Sequence, residues 1–333
     1  MIQFADIIVD LQAGDTGKGK IANYLVKNAY THVIRYNGGG NAGHTFYHNG
    51  KKIVTHSIPL GVIYEKTSII GPGCVLNVDS LFAEIDYLES LGYNPKKYLK
   101  IDKRVHIITE ENVLEDSKDV KIGTTKTGNG PTYRNKYSRT GIRAESIPEL
   151  NDFICDIYYE LHGPSSVNIL FEGAQGFEVD MDWGEYTYVT SSNCTVGGAI
   201  SNGVPPRKIR KIFGIAKAYR TYVGNKQFEP SDEIFELIRE TFNEYGATTG
   251  RPRQINYFDL DSLIIAANIN GVTDVIINKF DALMELNVFK LYYKSDLISF
   301  DNGESFKSFI RENLLKNCES IHSVFFSESP YTL

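Results

Sequence analysis

The 333-residue sequence predicts an α/β fold with a largely parallel central sheet flanked by helices. Three observations carry this expectation. The β-branched run Ala5 to Leu11 leads directly into glycines, and then into apolar residues at helical spacing, Ile21, Leu25 and Val26. Farther along, short apolar runs alternate with longer segments of helical period, the pattern of βαβ units. Residues suited to chemistry recur just after the short runs, where parallel sheets hold their ligand sites.

Taken in order, Ala5–Leu11 reads as a strand, 11–19 as a glycine loop, and Lys20–Lys27 as a helix. His32–Tyr36 reads as a second strand, followed by glycine-rich 37–44. Ser68–Ile70 and Val75–Leu76 flank Gly71-Pro72-Gly73. A helix is expected over Asp79–Leu91, capped by Asp79 or Ser80. Val105–Thr109 is a strand candidate. Residues 122–143 are polar, basic and glycine-containing, and read as a long surface loop. Ser166–Phe171, Ile212–Ala216 and Val275–Ile277 read as strands, with helices over Ile234–Glu244 and Leu260–Asn270. With no repeat, low-complexity tract or clear linker, one domain over 1–333 is expected.

The composition is that of an ordinary soluble protein, 42% hydrophobic and 23% charged, with a net charge of −6. That balance argues against a general nucleic-acid partner. The four cysteines are scattered and form no metal or disulfide pattern. No run approaches the roughly 18 apolar residues of a membrane span, and no secretory leader is visible, so a cytoplasmic protein is expected.

Four segments carry the chemistry. In "GDTGKGKI", Gly14, Gly17 and Gly19 let backbone N–H groups approach an anion, and Lys18 and Lys20 add charge. This resembles a phosphate loop, hence a P-loop-NTPase-like fold, but Ile21 stands where a metal-binding Ser or Thr would follow the lysine. Asp15 would repel phosphate, and is explained if it binds Mg²⁺ or takes a proton from a substrate. In "NGGGNAGHT" (37–45), His44 follows three glycines and is a candidate acid, with a pKa expected near working pH. "NKFD" (278–281) resembles the N-K-x-D element that reads guanine, its Asp281 accepting from N1–H and the 2-amino group. "ATTGRPR" (247–253) offers two arginines for carboxylates or phosphates.

Together with "RYNGGGNAGHT" (35–45), "IGTTKTGNGP" (122–131), "SRTGIR" (138–143), "EGAQG" (172–176), "YVTSSNCT" (188–195) and "NKFDAL" (278–283), these segments resemble the adenylosuccinate synthetase family along nearly the whole chain. The resemblance implies that family's fold and its reaction: GTP phosphorylates the 6-oxygen of a purine nucleotide, and L-aspartate then displaces the phosphate. It implies Asp15, His44 and Lys18 as catalytic residues, with Mg²⁺ held by Asp15 and the Gly43 carbonyl. Gly14, Thr16, Gly17, Gly19, Lys20, Arg253, Lys279 and Asp281 would bind the nucleoside triphosphate, GTP in preference to ATP. Asn41, Thr125, Gln175 and Thr190 would hold the substrate nucleotide. Arg139 would reach it across a homodimer interface, and Thr248, Thr249 and Arg251 would take aspartate.

The chain departs from the family pattern. Ala13 and Thr16 replace a Trp and a Glu, Tyr222 replaces an Arg near the ribose, and no counterpart of a C-terminal T-G-P segment is evident. "DLQAGDTGKG" also resembles a viral branch of the family that acts on dGMP, but keeps Asp15 where that branch has Ser. Smaller side chains near the purine edge and the lost Arg favour dGMP over IMP by a narrow margin. A GTP-binding switch would explain the glycine loop and NKFD, but neither Asp15 nor 247–253.

Overall fold

The computed structural model describes residues 1–246 and 250–329. Nine strands form the central sheet: β1 (Ile2–Asp10), β2 (His32–Arg35), β3 (Thr67–Ile70), β4 (Leu99–Asp102), β5 (Ile154–Cys155), β6 (Val167–Glu172), β7 (Ile209–Lys217), β8 (Asp274–Asn278) and β9 (Ser323–Phe326). Their order is β9-β8-β7-β1-β6-β2-β3-β4-β5. Every neighbouring pair is parallel. β1 therefore lies inside the sheet, with Ile8 opposite Glu172 on one side and Phe213 on the other.

Strand alternation sends side chains to two apolar layers. Ala5, Ile7 and Val9 face a core shared with helix Leu260–Asn270 and the smaller sheet. Ile8 faces the other, with Ile21, Ala22 and Leu25 of α1 (Lys18–Leu25) and Ile85 and Leu88 of α2 (Val78–Ser90). The smaller sheet has four strands, Tyr219–Tyr222, Gln254–Asp259, Lys290–Tyr293 and Asp296–Ser299.

Several boundaries differ from the sequence expectation. α1 begins at Lys18, because Gly17 takes a left-handed conformation (φ 96°) and starts the helix directly from the loop. α2 is capped by Asn77, whose side chain accepts from Ser80 N at 2.8 Å; neither Asp79 nor Ser80 is the cap. The helix expected to reach Glu244 ends at Thr241, and Glu244 turns inward to an ion pair. The largest difference is in 122–143. After α3 (Glu110–Asp116) and a loop, a ten-residue helix, α4, runs from Asn129 to Ser138. It lacks an apolar stripe, and tertiary contact supports it instead. Tyr133 is buried, its hydroxyl accepting from Gly38 N at 3.0 Å and donating to Gly73 O at 2.8 Å.

Candidate active site

A cavity of about 690 Å³ opens where the loops after β1, β2 and β6 meet 115–131, 188–191 and 251–253. Its floor is the phosphate loop. The carboxylate of Asp10, at the end of β1, is buried and organises that loop. Its Oδ1 accepts from Gln12 N at 2.9 Å; its Oδ2 accepts from Thr16 Oγ1 at 2.5 Å and Lys18 Nζ at 2.7 Å. Lys18 also donates to the Gln175 carbonyl at 2.7 Å, so its ammonium is fixed between two cavity walls. A side chain on Gly17 would come within 2.8 Å of Asn278 Nδ2, which itself donates to Thr16 O at 2.8 Å. The loop is thus tied at one end to Asp10 and at the other to the first residue of NKFD.

His44 is buried against this loop. A Cβ on Gly19 would lie 3.0 Å from the Cβ of His44. His44 Nδ1 lies 3.2 Å from Glu172 Oε2, and the Arg35 guanidinium nitrogens lie 3.3 Å from His44 Nδ1 and 3.5 Å from His44 Nε2. Arg35 and His44 hold the buried Glu172 in its charged form, below the usual carboxylate range despite its burial. Nδ1–H therefore donates to Glu172. Burial, then the Arg35 charge, lowers the imidazole to about 4. The expectation of a histidine titrating near working pH is thus corrected: in the free site His44 is neutral.

Asp15 stands at the cavity edge with φ 56°. Arg253 donates to its Oδ2 from Nε at 3.0 Å and contacts it from a terminal nitrogen at 2.9 Å. The same guanidinium reaches Glu244 Oε2 at 2.5 Å, and Glu244 accepts from Lys217 Nζ at 2.8 Å. The two cations outweigh burial and hold Glu244 at about 2, while burial lowers Lys217 to about 8.

The opposite wall is the loop between α3 and α4, held by two carboxylates. Asp119 accepts from four consecutive backbone N–H groups: Lys121 and Ile122 at Oδ1, Gly123 and Thr124 at Oδ2, from 2.8 to 3.3 Å. Asp116 accepts from Gly128 N at 2.8 Å. From across the cavity Arg251 donates to the carbonyls of Gly123 at 3.1 Å and Thr124 at 2.5 Å. Thr125 lies between these anchors, its hydroxyl 2.9 Å from that of Thr127.

The cavity brings together Gly14, Asp15, Gly17, Lys18, Gly19, Asn41, Gly43, His44, Thr125, Gln175, Thr190, Arg251 and Arg253, as the sequence suggested. Gln175 Nε2 donates to Asn41 Oδ1 at 3.0 Å, joining two of these. Thr16, Lys20, Lys279 and Asp281 do not line it. Thr16 is buried on Asp10. Lys20 lies behind the loop, donating to Asn278 Oδ1 at 3.3 Å, Ser327 Oγ at 2.5 Å and the Ser329 carbonyl at 2.5 Å. Burial there lowers it to about 8, against the opposing pull of Asp281. Arg139 is exposed, at the C-terminal cap of α4. Thr248 and Thr249 lie outside the described residues.

Sequence reasoning gave no role to Arg35, Glu172, Glu244, Asp119 or the segment after β9. The last is telling: Phe280 N donates to Ser327 O at 3.2 Å and Ser327 N to Ile277 O at 2.8 Å, so Ser327–Ser329 flank NKFD where no counterpart of a C-terminal segment had been evident. The only signal was a short apolar run, Val324 to Phe326, before Ser327.

Among the described residues, no three His, Cys, Asp or Glu side chains cluster as a protein-only metal cage would require. A Mg²⁺ completed by phosphate oxygens needs only one or two carboxylates. Asp15 fits: both contacts from Arg253 fall on Oδ2, leaving Oδ1 without a hydrogen bond among the described residues.

A family model described as adenylosuccinate synthetase matches residues 7–154 and 144–326. Adenylosuccinate synthetase of Brevibacillus brevis is 37% identical, over 95% of this chain and 86% of its own length. That of Chlorobium chlorochromatii is 40% identical, over 84% and 77%. Among solved structures, the fully ligated adenylosuccinate synthetase of Plasmodium falciparum superposes with a TM-score of 0.85 at 28% identity, covering 98% of each chain. The cyanophage S-2L succinoaminodeoxyadenylate synthetase, bound to dGMP and dATP, superposes at 0.71 over 94% of this chain and all of its own; at 22% identity it attests the fold alone.

Proposed function

We propose that this chain, which belongs to the adenylosuccinate synthetase family and is a C–N bond-forming ligase, acts on the 6-oxo group of a purine nucleoside monophosphate. GTP donates its γ-phosphoryl group to that oxygen, and the amine of L-aspartate then displaces phosphate from the same carbon. The observation that carries this reading is Asp15, a carboxylate at the lip of a phosphate loop, in one cavity with Lys18 and His44. A phosphate-only loop has no use for it. A 6-oxopurine must lose its N1 proton for O6 to attack phosphorus, and Asp15 is the base for that proton.

Lys18, pinned by Asp10 and Gln175, places a fixed positive charge at the loop where the γ-phosphate would lie. His44 offers a neutral Nε2, because Nδ1–H is committed to Glu172. It gains its proton when phosphate charge arrives beside it and then stabilises the transferring group. Mg²⁺, held by Asp15 and the Gly43 carbonyl, would neutralise the nucleotide phosphates. Asn41, Thr125, Gln175 and Thr190 hold the monophosphate, and Arg251, with Thr248 and Thr249, the aspartate. Arg139 completes the site of a partner subunit in a homodimer. Lys279 and Asp281 read guanine, with Ser327–Ser329 beside them.

Relatives of 35 to 40% identity named adenylosuccinate synthetase favour IMP as the substrate. A second reading, dGMP, is favoured by Ala13 and Tyr222 in the cavity wall, a small side chain and a non-basic one where the family pattern has Trp and Arg. A substrate matrix decides: IMP, GMP and dGMP, each with GTP or ATP, plus aspartate and Mg²⁺, with product identified by mass. Release of phosphate from GTP at a similar rate without aspartate and a 6-oxopurine would refute the ligase reading.

A further inference from the structure

Asn129, the first residue of α4, lines the cavity and is only 7% exposed. Among the described residues, neither its Nδ2 nor its Oδ1 has a hydrogen-bond partner. An enclosed amide with both ends unmet is costly, and a leucine of similar size would fill the same space without that cost. Its surroundings show what could satisfy it. A Cβ on Gly39 would come within 3.0 Å of Asn129 Oδ1, so the glycine leaves room for the amide. The Gly39 N–H donates to Asn41 Oδ1 at 3.2 Å, and Ser191 faces Gly130, the next residue of the helix. The amide thus lies beside Gly39, whose N–H is held by Asn41, a residue assigned above to the monophosphate, and in the cavity that holds Thr125, Gln175 and Thr190. The helix it opens has ten residues, a left-handed Gly128 before it and no side-chain cap, so its first N–H groups favour an anion. Asp116 fixes Gly128 and hence the position of Asn129.

We propose that Asn129 is a binding residue for the phosphate of the substrate nucleotide, donating to a phosphate oxygen from Nδ2. The terminal torsion of an asparagine is soft, so the amide can turn to a bound phosphate at little cost. The inference rests on the monophosphate reading of the cavity. The test is calorimetric binding of IMP and dGMP, and of inosine and deoxyguanosine, to the full-length protein and to Asn129→Leu and Asn129→Asp, alongside thermal unfolding. Asn129→Leu should weaken monophosphate binding roughly tenfold or more. It should leave the free nucleosides unaffected and keep or raise Tm, since an unmet amide is removed. Asn129→Asp should weaken the monophosphates further by repulsion. Wild-type affinity in both variants overturns the inference while leaving the proposed function standing. Equal losses for nucleosides and monophosphates, with a lowered Tm, also overturn it, by showing a packing role. Failure of the wild-type protein to bind any purine monophosphate removes the function and the inference together.

Discussion

Arg253 holds Asp15 through one carboxylate oxygen, Oδ2, at 2.9 to 3.0 Å, and holds Glu244 with the same guanidinium. The proposed base is therefore held in place before substrate arrives, and Arg253 would share it with the N1 proton. Asp15→Asn should lower kcat by about 10²- to 10⁴-fold, the usual span for a positioned base. Calorimetric affinity for the monophosphate should stay within a few-fold. An Asp15→Asn enzyme with near wild-type turnover would show that the proton goes elsewhere.

The Arg35–His44–Glu172 cluster makes a pH prediction. Burial and Arg35 place His44 at about 4 in the folded protein, below the ordinary value of 6.5. Between those values the unfolded chain binds a proton that the folded one refuses, so this group makes stability fall as pH drops from about 6.5 towards 4. Imidazole NMR of the free protein should show His44 titrating near pH 4. In Arg35→Met it should move upward, because the cation that opposes protonation is gone. A free-enzyme value near 6.5 would contradict the geometry.

Asp119 is predicted to set the shape of the wall proposed to hold the monophosphate. Either orientation of an asparagine amide would turn an NH₂ group toward two of the four N–H donors it accepts. Asp119→Asn should raise KM for the monophosphate by about tenfold, with kcat at saturation little changed. Trypsin should also cut the variant at Lys121 or Lys126 without nucleotide, and nucleotide should protect it. A fall in kcat at unchanged KM would argue against this role.

The proposed reading of guanine rests on Asp281. An acceptor-only carboxylate suits N1–H and a 2-amino group, whereas an amide donor suits a 2-oxo group. Asp281→Asn should lose activity with GTP and gain it with xanthosine triphosphate. Unchanged use of GTP would remove Asp281 from the nucleotide site.

What could be read from residue order was local. The run Ala5–Leu11 and its glycine loop gave a central strand and its turn, because β-branching and glycine act within a few residues. Leu260–Asn270 was found to the residue, since an Asp259 cap and a glycine end bound an apolar helix. α4 was hidden, because its support is Tyr133 reaching Gly38 and Gly73, contacts remote in sequence. The site divides the same way. Asp15, Lys18 and His44 announce themselves in glycine loops, whereas Glu172 matters through a partner 128 residues away, His44, and Glu244 through Arg253 and Lys217, 9 and 27 residues away on other elements. The order of nine parallel strands was beyond sequence reading, which saw only that parallel strands were present.

The place of β1 inside the sheet governs how the protein can come into being. β1 pairs with Val167–Glu172 and Ile209–Lys217, so it has no flank until the former has emerged and only one until the latter has. Until then the strand that ends in the phosphate loop exposes at least one bare edge. Parallel pairing over such separations is slow and open to aggregation. Nascent chains released before residue 217 should therefore depend on chaperones and bind no nucleotide, and competence should appear late and abruptly as synthesis proceeds.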